Sequence, residues 1–435
     1  MSRNRKNHGE LVLQLLRRHG PLSRSELITM SGLSRTTLYD IVVPLVDDGT
    51  VTVSVPEVAR RRRGRPVEKL ALNPEAGRVI GIDFAQQAVR VATASITHEV
   101  IGTAGEQHEP GAPWKDRVET AYRLVGTLMR GTPRPGACQA IGVGVAGPVA
   151  AQVDHLPGEA GHATVAAMVR ERFGAPVRLD NNNRLAALAE SKWGAAAGER
   201  DMLYLRLSHG VGGGLVVDGT LHRGAFGLSG GFGHITVDQD GPACGCGGAG
   251  CLETVASVGA VLGAYRAAGG AARDLPELVT ALHAGDRTAR AVLAGAGTLI
   301  GRALATLCNT VDPRVVVVGG ELAEVGPAVM EPIERALGLG LMAGARTRLS
   351  LAQLGEAGAA LGAVALLRPG TVGIPRLGPP VGEDRTVRRD SMKPGAVRPD
   401  TRVPGPRRRP VPSRRSAATA VEQRPATRWT RATTR

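Results

Sequence analysis

Over residues 8–19 the apolar positions Leu11, Val12, Leu13, Leu15 and Leu16 recur at helical spacing, and Gly20 and Pro21 end the run, which predicts a first helix. Ser23 with Glu26 three residues later is a capping-box pattern, so a second helix is expected to run to Met30, with Gly32 as the turn after it. Ser34 caps a third helix, in which Leu38, Ile41, Val42 and Leu45 share one face while Arg35, Thr36, Thr37 and Tyr39 point outward. Two short helices joined by a glycine turn make a helix-turn-helix, and the third helix is the one suited to a DNA major groove.

Alternating apolar and polar positions follow in TVTVSVP (50–56) and VEKLALN (67–73), joined by EVARRRRGRP, so a hairpin is predicted behind the helices. Its tip carries Arg60, Arg61, Arg62, Arg63 and Arg65. A run of arginines is by itself as easily a solvated face. On the wing of a helix-turn-helix it suits a narrow, electronegative minor groove, and DNA contact is expected.

Residues 79–103 then alternate like paired strands, and QAIGVGVAGPV, DMLYLRLSHGVGGGLVVDG and RVVVVGG add short β runs ending in glycine. Helical stretches such as 115–130 and 292–308 lie between them, which predicts an α/β body of two lobes without an internal repeat of fixed period. No apolar run reaches the roughly 18 residues of a membrane span, and MSRNRKNHGE leads into no secretory apolar stretch. A cytoplasmic protein with no membrane partner is expected.

Charge sharpens this division. The chain has 435 residues and a net charge of +15, too long for one core at about 100–200 residues per domain. Residues 1–72 carry 13 Lys/Arg against 7 Asp/Glu, residues 369–435 carry 16 against 5, and residues 73–368 carry 25 against 27. A near-neutral body with basic ends is the asymmetry of a chain whose ends meet a polyanion. The expected units are therefore a winged helix-turn-helix at 1–72, a body at 73–368 divided near residue 195, and a tail at 369–435. The tail is rich in Pro and Arg, holds GPRRRPVPSRR and has no apolar periodicity, so disorder is expected there.

Five cysteines, three of them within eight positions, are metal arithmetic and not a disulfide framework. In GGFGHITVDQDGPACGCGGAGCLE, His234 precedes Cys244, Cys246 and Cys251, a four-ligand N/S set that suits tetrahedral Zn²⁺ in a closed structural site. Three buried free thiols would leave the density of glycines in this loop without a purpose.

Taken in order, these residues resemble the ROK family, which joins sugar-responsive repressors to sugar kinases of the actin-like ATPase fold. The likeness spans nearly all of 8–368, through the GRP wing, GIDF, GVGVAGPV, DNNNRLAALAE, GVGGGLVVDG, the GH…CGCGGAGCLE block and DPRVVVVGG. It implies a zinc on His234, Cys244, Cys246 and Cys251, and a sugar site between the lobes with contacts from Asn181, His234 and Glu253. Three features depart from the kinase members. Ala85, Gln86 and Gln87 stand where two glycines and a threonine receive the ATP phosphates, and Asn182 stands at the catalytic aspartate. An amide cannot take the proton of a sugar hydroxyl at neutral pH, so no ATP use and no catalytic residue are expected, with Asp180 the nearest carboxylate. Gly231 stands where family members carry a glutamate that binds sugar hydroxyls, so sugar binding is expected to be weak, altered in specificity or lost.

The resulting expectation is a transcriptional regulator, a repressor of carbohydrate genes, that binds an inverted-repeat operator as a homo-oligomer, dimer or tetramer, and responds to a small carbohydrate. The alternatives are a sugar kinase with an accessory DNA-binding domain, and a DNA-binding protein whose body is only an oligomerisation scaffold.

Overall fold

Helix α1 (Arg3–His19) begins earlier than its apolar periodicity, because the polar start RNRKNHG contains nothing that breaks a helix severely. Strand β1 (Leu22–Ser23) leads into α2 (Arg24–Ser31), where Glu26 N donates to Ser23 Oγ at 3.2 Å and Ser23 N to Glu26 Oε2 at 2.7 Å. The capping box is therefore closed in both directions. Gly32, at φ +70°, ends α2 in the left-handed region that glycine enters without strain. Ser34 then caps α3 (Arg35–Asp47) through Thr37 N at 3.1 Å. Strands β2 (Val51–Ser54) and β3 (Lys69–Leu72) complete a small sheet of order β1-β3-β2. Val12, Leu16, Leu27, Leu38, Ile41, Val42, Val51, Leu70 and Leu72 form the core of this N-terminal unit, and Ile96 from the body packs into it.

The computed structural model describes residues 3–54, 68–130, 137–149 and 159–368. Arg60, Arg61, Arg62, Arg63 and Arg65, expected on the wing, lie outside the described residues, as does the 369–435 tail.

The body contains two five-stranded sheets with one plan. In the first, β4 (Gly77–Phe84), β5 (Ala88–Ser95) and β6 (Val100–Gln107) form an antiparallel meander, and β7 (Ala137–Val145) and β8 (Val177–Asn181) join β4 in parallel, giving the order β6-β5-β4-β7-β8. In the second, β9 (Met202–Leu207), β10 (Val211–Val217) and β11 (Thr220–His222) meander, and β12 (Val315–Gly319) and β13 (Arg348–Leu351) run parallel beside β9 in the order β11-β10-β9-β12-β13. The duplication is one of topology, which explains why the sequence shows no fixed-period repeat. Helices α4 (Trp114–Met129) and α5 (Glu159–Phe173) serve the first sheet. The second is covered by a core that takes in α8 (Val258–Ala267), α9 (Leu275–His283), α10 (Arg287–Val311) and α11 (Pro327–Gly340).

Two further helices lie between the sheets. Helix α6 (Asn182–Trp193) follows β8 directly, and α12 (Gly358–Ala365) comes last among the described elements. A Cβ on Gly81 would run into the Ala360 carbonyl and one on Gly142 into that of Ala363, so α12 lies directly on β4 and β7. On its other side Ala363, Ala365 and Leu366 share a core with Tyr204, Val315 and Val317 of the second sheet.

Among the described residues, α10 is long and apolar enough to cross a membrane by length and composition alone, although Arg287, Arg290 and Arg302 interrupt it. Half of the qualifying stretch is buried against the rest of the protein, as in a core helix.

Candidate metal centre and interlobe site

The short turn Phe232–His234 follows a glycine pair and presents His234 toward the cysteine loop. Cys244 N donates to Gly248 O at 2.8 Å and Gly250 N to Pro242 O at 2.8 Å, folding residues 242–250 back on themselves. Gly250, at φ +62°, sits where a Cβ would strike the Asp238 carbonyl, so glycine is required at that point. Leu252 N donates to Ile235 O at 2.8 Å and fastens the end of the loop beside His234.

The ligand atoms of His234, Cys244, Cys246 and Cys251 all lie within 4.8 Å of one another. His234 Nδ1 is 3.7 Å from Cys244 Sγ, and Cys246 Sγ is 3.7 Å from Cys251 Sγ. Ligands about 2.3 Å from a tetrahedral centre stand about 3.8 Å apart, so the four donors are spaced as the edges of such a site. Burial and the adjacent sulfurs push the Cys251 thiol upward, which a cation between them would reverse. The residues fit zinc. Bound there, the ion would hold the loop and need supply no chemistry.

Glu253, the first residue of α7 (Glu253–Ala256), follows the last ligand by two positions, and its Oε2 accepts from Val211 N at 2.8 Å. The loop and the start of β10 are thereby tied together. Asn181 ends β8 and caps α6: its Oδ1 accepts from Asn183 N at 2.9 Å and Arg184 N at 3.1 Å, and its Nδ2 donates to Gly147 O at 2.7 Å. His234 approaches Cys244 through Nδ1, so its Nε2 is not engaged in the cluster. Gly231 is exposed, and an added Cβ would meet nothing closer than Leu228 O at 3.7 Å and His234 Cδ2 at 3.8 Å.

Asn182 is not on a strand beside Asp180. Strand β8 ends at Asn181, and Asn182 is the first residue of α6, buried near Asp83 of β4, whose two carboxylate oxygens are buried without a hydrogen-bond partner among the described residues. Asp83 is fully buried, and desolvation raises its pKa. Asp180 is no substitute for a catalytic aspartate. Arg184 Nε donates to its Oδ1 at 2.7 Å and Arg223 Nε to its Oδ2 at 2.7 Å, so both oxygens are occupied. Arg184 also donates to the carbonyls of Gly227, Ser229 and Val149. Sequence reasoning missed this clamp, although the i, i+4 spacing of Asp180 and Arg184 was a visible signal. At the expected phosphate loop, Ala85 is buried with its carbonyl held by Arg117 at 2.6 Å, and Gln86 and Gln87 are exposed.

On α3, Arg35, Thr36 and Tyr39 are exposed and Thr37 is half-buried, its Oγ1 2.8 Å from Ser34 Oγ. The structure thus separates two groups of expected site residues, a helix face at the N-terminus and a cluster in the body that brings His234 to the cysteines.

The ROK family model matches residues 80–369. The chain belongs to the ROK family. It is 24% identical over 347 residues to the xylose repressor of Caldicellulosiruptor bescii, covering 75% of this chain and 86% of that protein. It is 33% identical over 222 residues to a glucokinase of Streptomyces coelicolor, covering 46% of this chain and 69% of the relative. The fold is similar to that of a solved structure described as a ROK family transcriptional regulator, homolog of the E. coli MLC protein, with a TM-score of 0.65, 23% identity, and coverage of 83% of this chain and 95% of that one. The ROK match begins in β4, so the N-terminal unit lies outside it.

Proposed function

We propose that this ROK chain is a cytoplasmic DNA-binding transcriptional repressor of carbohydrate genes, in which residues 1–72 form a winged helix-turn-helix reader and the body is a sugar-responsive, non-catalytic kinase fold. The observation that carries the reading is α3: a capped helix with Arg35, Thr36 and Tyr39 exposed on the face opposite Leu38, Ile41 and Val42. The likeness to a xylose repressor, over 75% of this chain and 86% of that protein, supports it. The reader would place α3 in the major groove and Arg60, Arg61, Arg62, Arg63 and Arg65 against phosphate or the minor groove, as part of a homodimer or tetramer on an inverted repeat.

Zinc on His234, Cys244, Cys246 and Cys251 would be structural, fixing Glu253 before a carbohydrate arrives between the lobes beside Asn181 and His234. A carbohydrate that binds the DNA-incompetent arrangement about 100-fold better would shift the equilibrium by about 2.7 kcal/mol, within the usual range of coupling. The likeness to a glucokinase favours a second reading, a kinase, but Asn182 and the clamped Asp180 leave the sugar hydroxyl without a base.

Selection by the full chain from a random duplex library tests the reading. Recovery of an inverted repeat is expected, with affinity falling steeply with salt and lost when residues 1–72 are removed. Replacing Arg62 and Arg63 with alanine lowers the salt slope by up to about 0.9 per lost phosphate contact. Equal binding by the truncated chain overturns the assignment of the reader.

A further inference from the structure

The turn between β5 and β6 is built unlike an ordinary hairpin tip. Ser95 is buried and organises it, its Oγ 2.6 Å from Thr97 Oγ1 and accepting from Thr97 N and Glu99 N at 3.2 Å each. His98 N donates to Ser95 O at 2.9 Å, and His98 takes φ +65°, a conformation that L residues rarely adopt. The two apolar-facing side chains of this turn go to different places. Ile96 is buried in the core of the N-terminal unit with Val12 and Leu16 of α1. His98 is buried beside the last turn of α12, its Nδ1 without a hydrogen-bond partner among the described residues, and Ala94 at the end of β5 shares a core with Val364 of that turn. Arg17 of α1 and Arg368 after α12 are the charged groups that face it, and with burial they hold the imidazole neutral.

Helix α12 is itself wedged between the lobes. Ala360, Leu361 and Val364 share a core with Val79, Ala92 and Ala94 of the first sheet, while Ala363, Ala365 and Leu366 share one with Tyr204, Val315 and Val317 of the second. Gly362 lies against the Leu185 backbone of α6, whose N-terminus is capped by Asn181. A change in the angle between the lobes cannot leave α12 in place, because packed interiors do not deform continuously.

We propose that residues 96–99 are the coupling element between body and reader, with His98 the positioning residue that reads the end of α12 and Ile96 the side chain that carries its displacement into α1. The proposal rests on the function proposed above for what it regulates, but the mechanical contact stands apart from any ligand.

Two variants of the full chain test it by hydrogen exchange: Ile96→Ala, and His98→Gly, which keeps the left-handed turn accessible. Both are expected to speed amide exchange about tenfold or more in α1 around Val12–Leu16 and in the last turn of α12 together, with Val258–Ala267 of α8 unchanged. Exchange that rises in one of the two helices alone, or in neither, overturns the coupling. A second arm uses D-xylose as the probe. Where the unmodified chain binds D-xylose by calorimetry and its operator affinity falls, His98→Gly should retain sugar binding while the ratio of operator affinities without and with sugar drops toward one. A ratio equal to that of the unmodified chain overturns the proposal, since a merely structural role would lower stability without erasing the ratio. If the unmodified chain shows no heat with D-xylose, this sugar is not its effector, and the exchange result still decides the contact.

Discussion

Arg184 Nε lies 2.7 Å from Asp180 Oδ1 across the β8–α6 junction, and both side chains are buried. The pair joins the end of a strand to the first turn of the next helix, and Arg184 reaches on to the carbonyls of Gly227 and Ser229 beyond β11. Removing one partner of such a pair leaves a buried charge uncompensated, which costs about 3–5 kcal/mol. Arg184→Met is accordingly expected to lower unfolding stability by about that amount in denaturant titration, with Arg223 retaining part of the contact to Asp180. A loss below about 1 kcal/mol would mean that Arg223 alone compensates the carboxylate.

Buried His98 makes stability depend on pH in a defined window. Its pKa is lowered from 6.5 to about 3, so between these values the unfolded chain binds a proton that the folded chain does not. Stability therefore rises with pH across the window and is lost as pH falls from 6.5, by at most about 1.4 kcal/mol per pH unit from this group. Replacing His98 with Asn, which tolerates the left-handed backbone, should flatten the slope between pH 6.5 and 5 in chemical denaturation. An unchanged slope would assign the pH dependence to other groups.

The metal site predicts its own response. One zinc per chain is expected by elemental analysis, and Cys246→Ser should lose it and lower the thermal midpoint, because binding energy at a structural site is also folding energy. Chelator should have the same effect on the unmodified protein and little on the variant. Protein purified without chelator and holding well under one equivalent would count against the assignment.

The legibility of these features followed the distance over which each is encoded. The capping box of Ser23 and Glu26 is a three-residue signal, and the four metal donors fall within His234–Cys251, so both could be read before any folding was considered. Asn182 was harder: in DNNN every residue suits a strand end, a turn or a helix cap, and it is the Asn181 side chain, accepting from Asn183 N and Arg184 N, that marks the helix start. The clamp on Asp180 draws Arg223 from 43 residues away, beyond any local pattern. Nor could a periodicity search find the two matching sheets, since they repeat a strand order and not a residue pattern.

Phosphoryl transfer should be absent. Loss of a general base alone lowers rates by about 10²–10⁴-fold, and Gln86 and Gln87 at the phosphate loop are an independent obstacle. Asn182→Asp is therefore expected to produce no ATP-dependent phosphorylation of D-glucose, D-xylose or N-acetylglucosamine in a coupled assay. Turnover by the unmodified chain would overturn the non-catalytic reading outright, and turnover by the variant would show that the loop admits the nucleotide.

Gly231 offers the sharpest test of the sugar site. The position is exposed, its φ of −73° suits any residue, and an added Cβ would make only ordinary contacts, with Leu228 O at 3.7 Å and His234 Cδ2 at 3.8 Å. A glutamate there is sterically free, one position before Phe232 in the turn that carries His234. Hydrogen bonds to a charged acceptor contribute about 1.5–3 kcal/mol, so Gly231→Glu should tighten binding of a neutral sugar about tenfold or more if the site lies beside His234 and Glu253. Glu253→Ala in the same background should reverse the gain, and would also release Val211 N, which the Glu253 carboxylate now holds at 2.8 Å. Calorimetry with D-xylose and D-glucose on the three proteins decides the matter. A gain that Glu253→Ala removes supports a sensor whose acceptor was thinned at one position. No binding to any of the three, with the zinc in place, would leave the body as an oligomerisation scaffold beneath the reader.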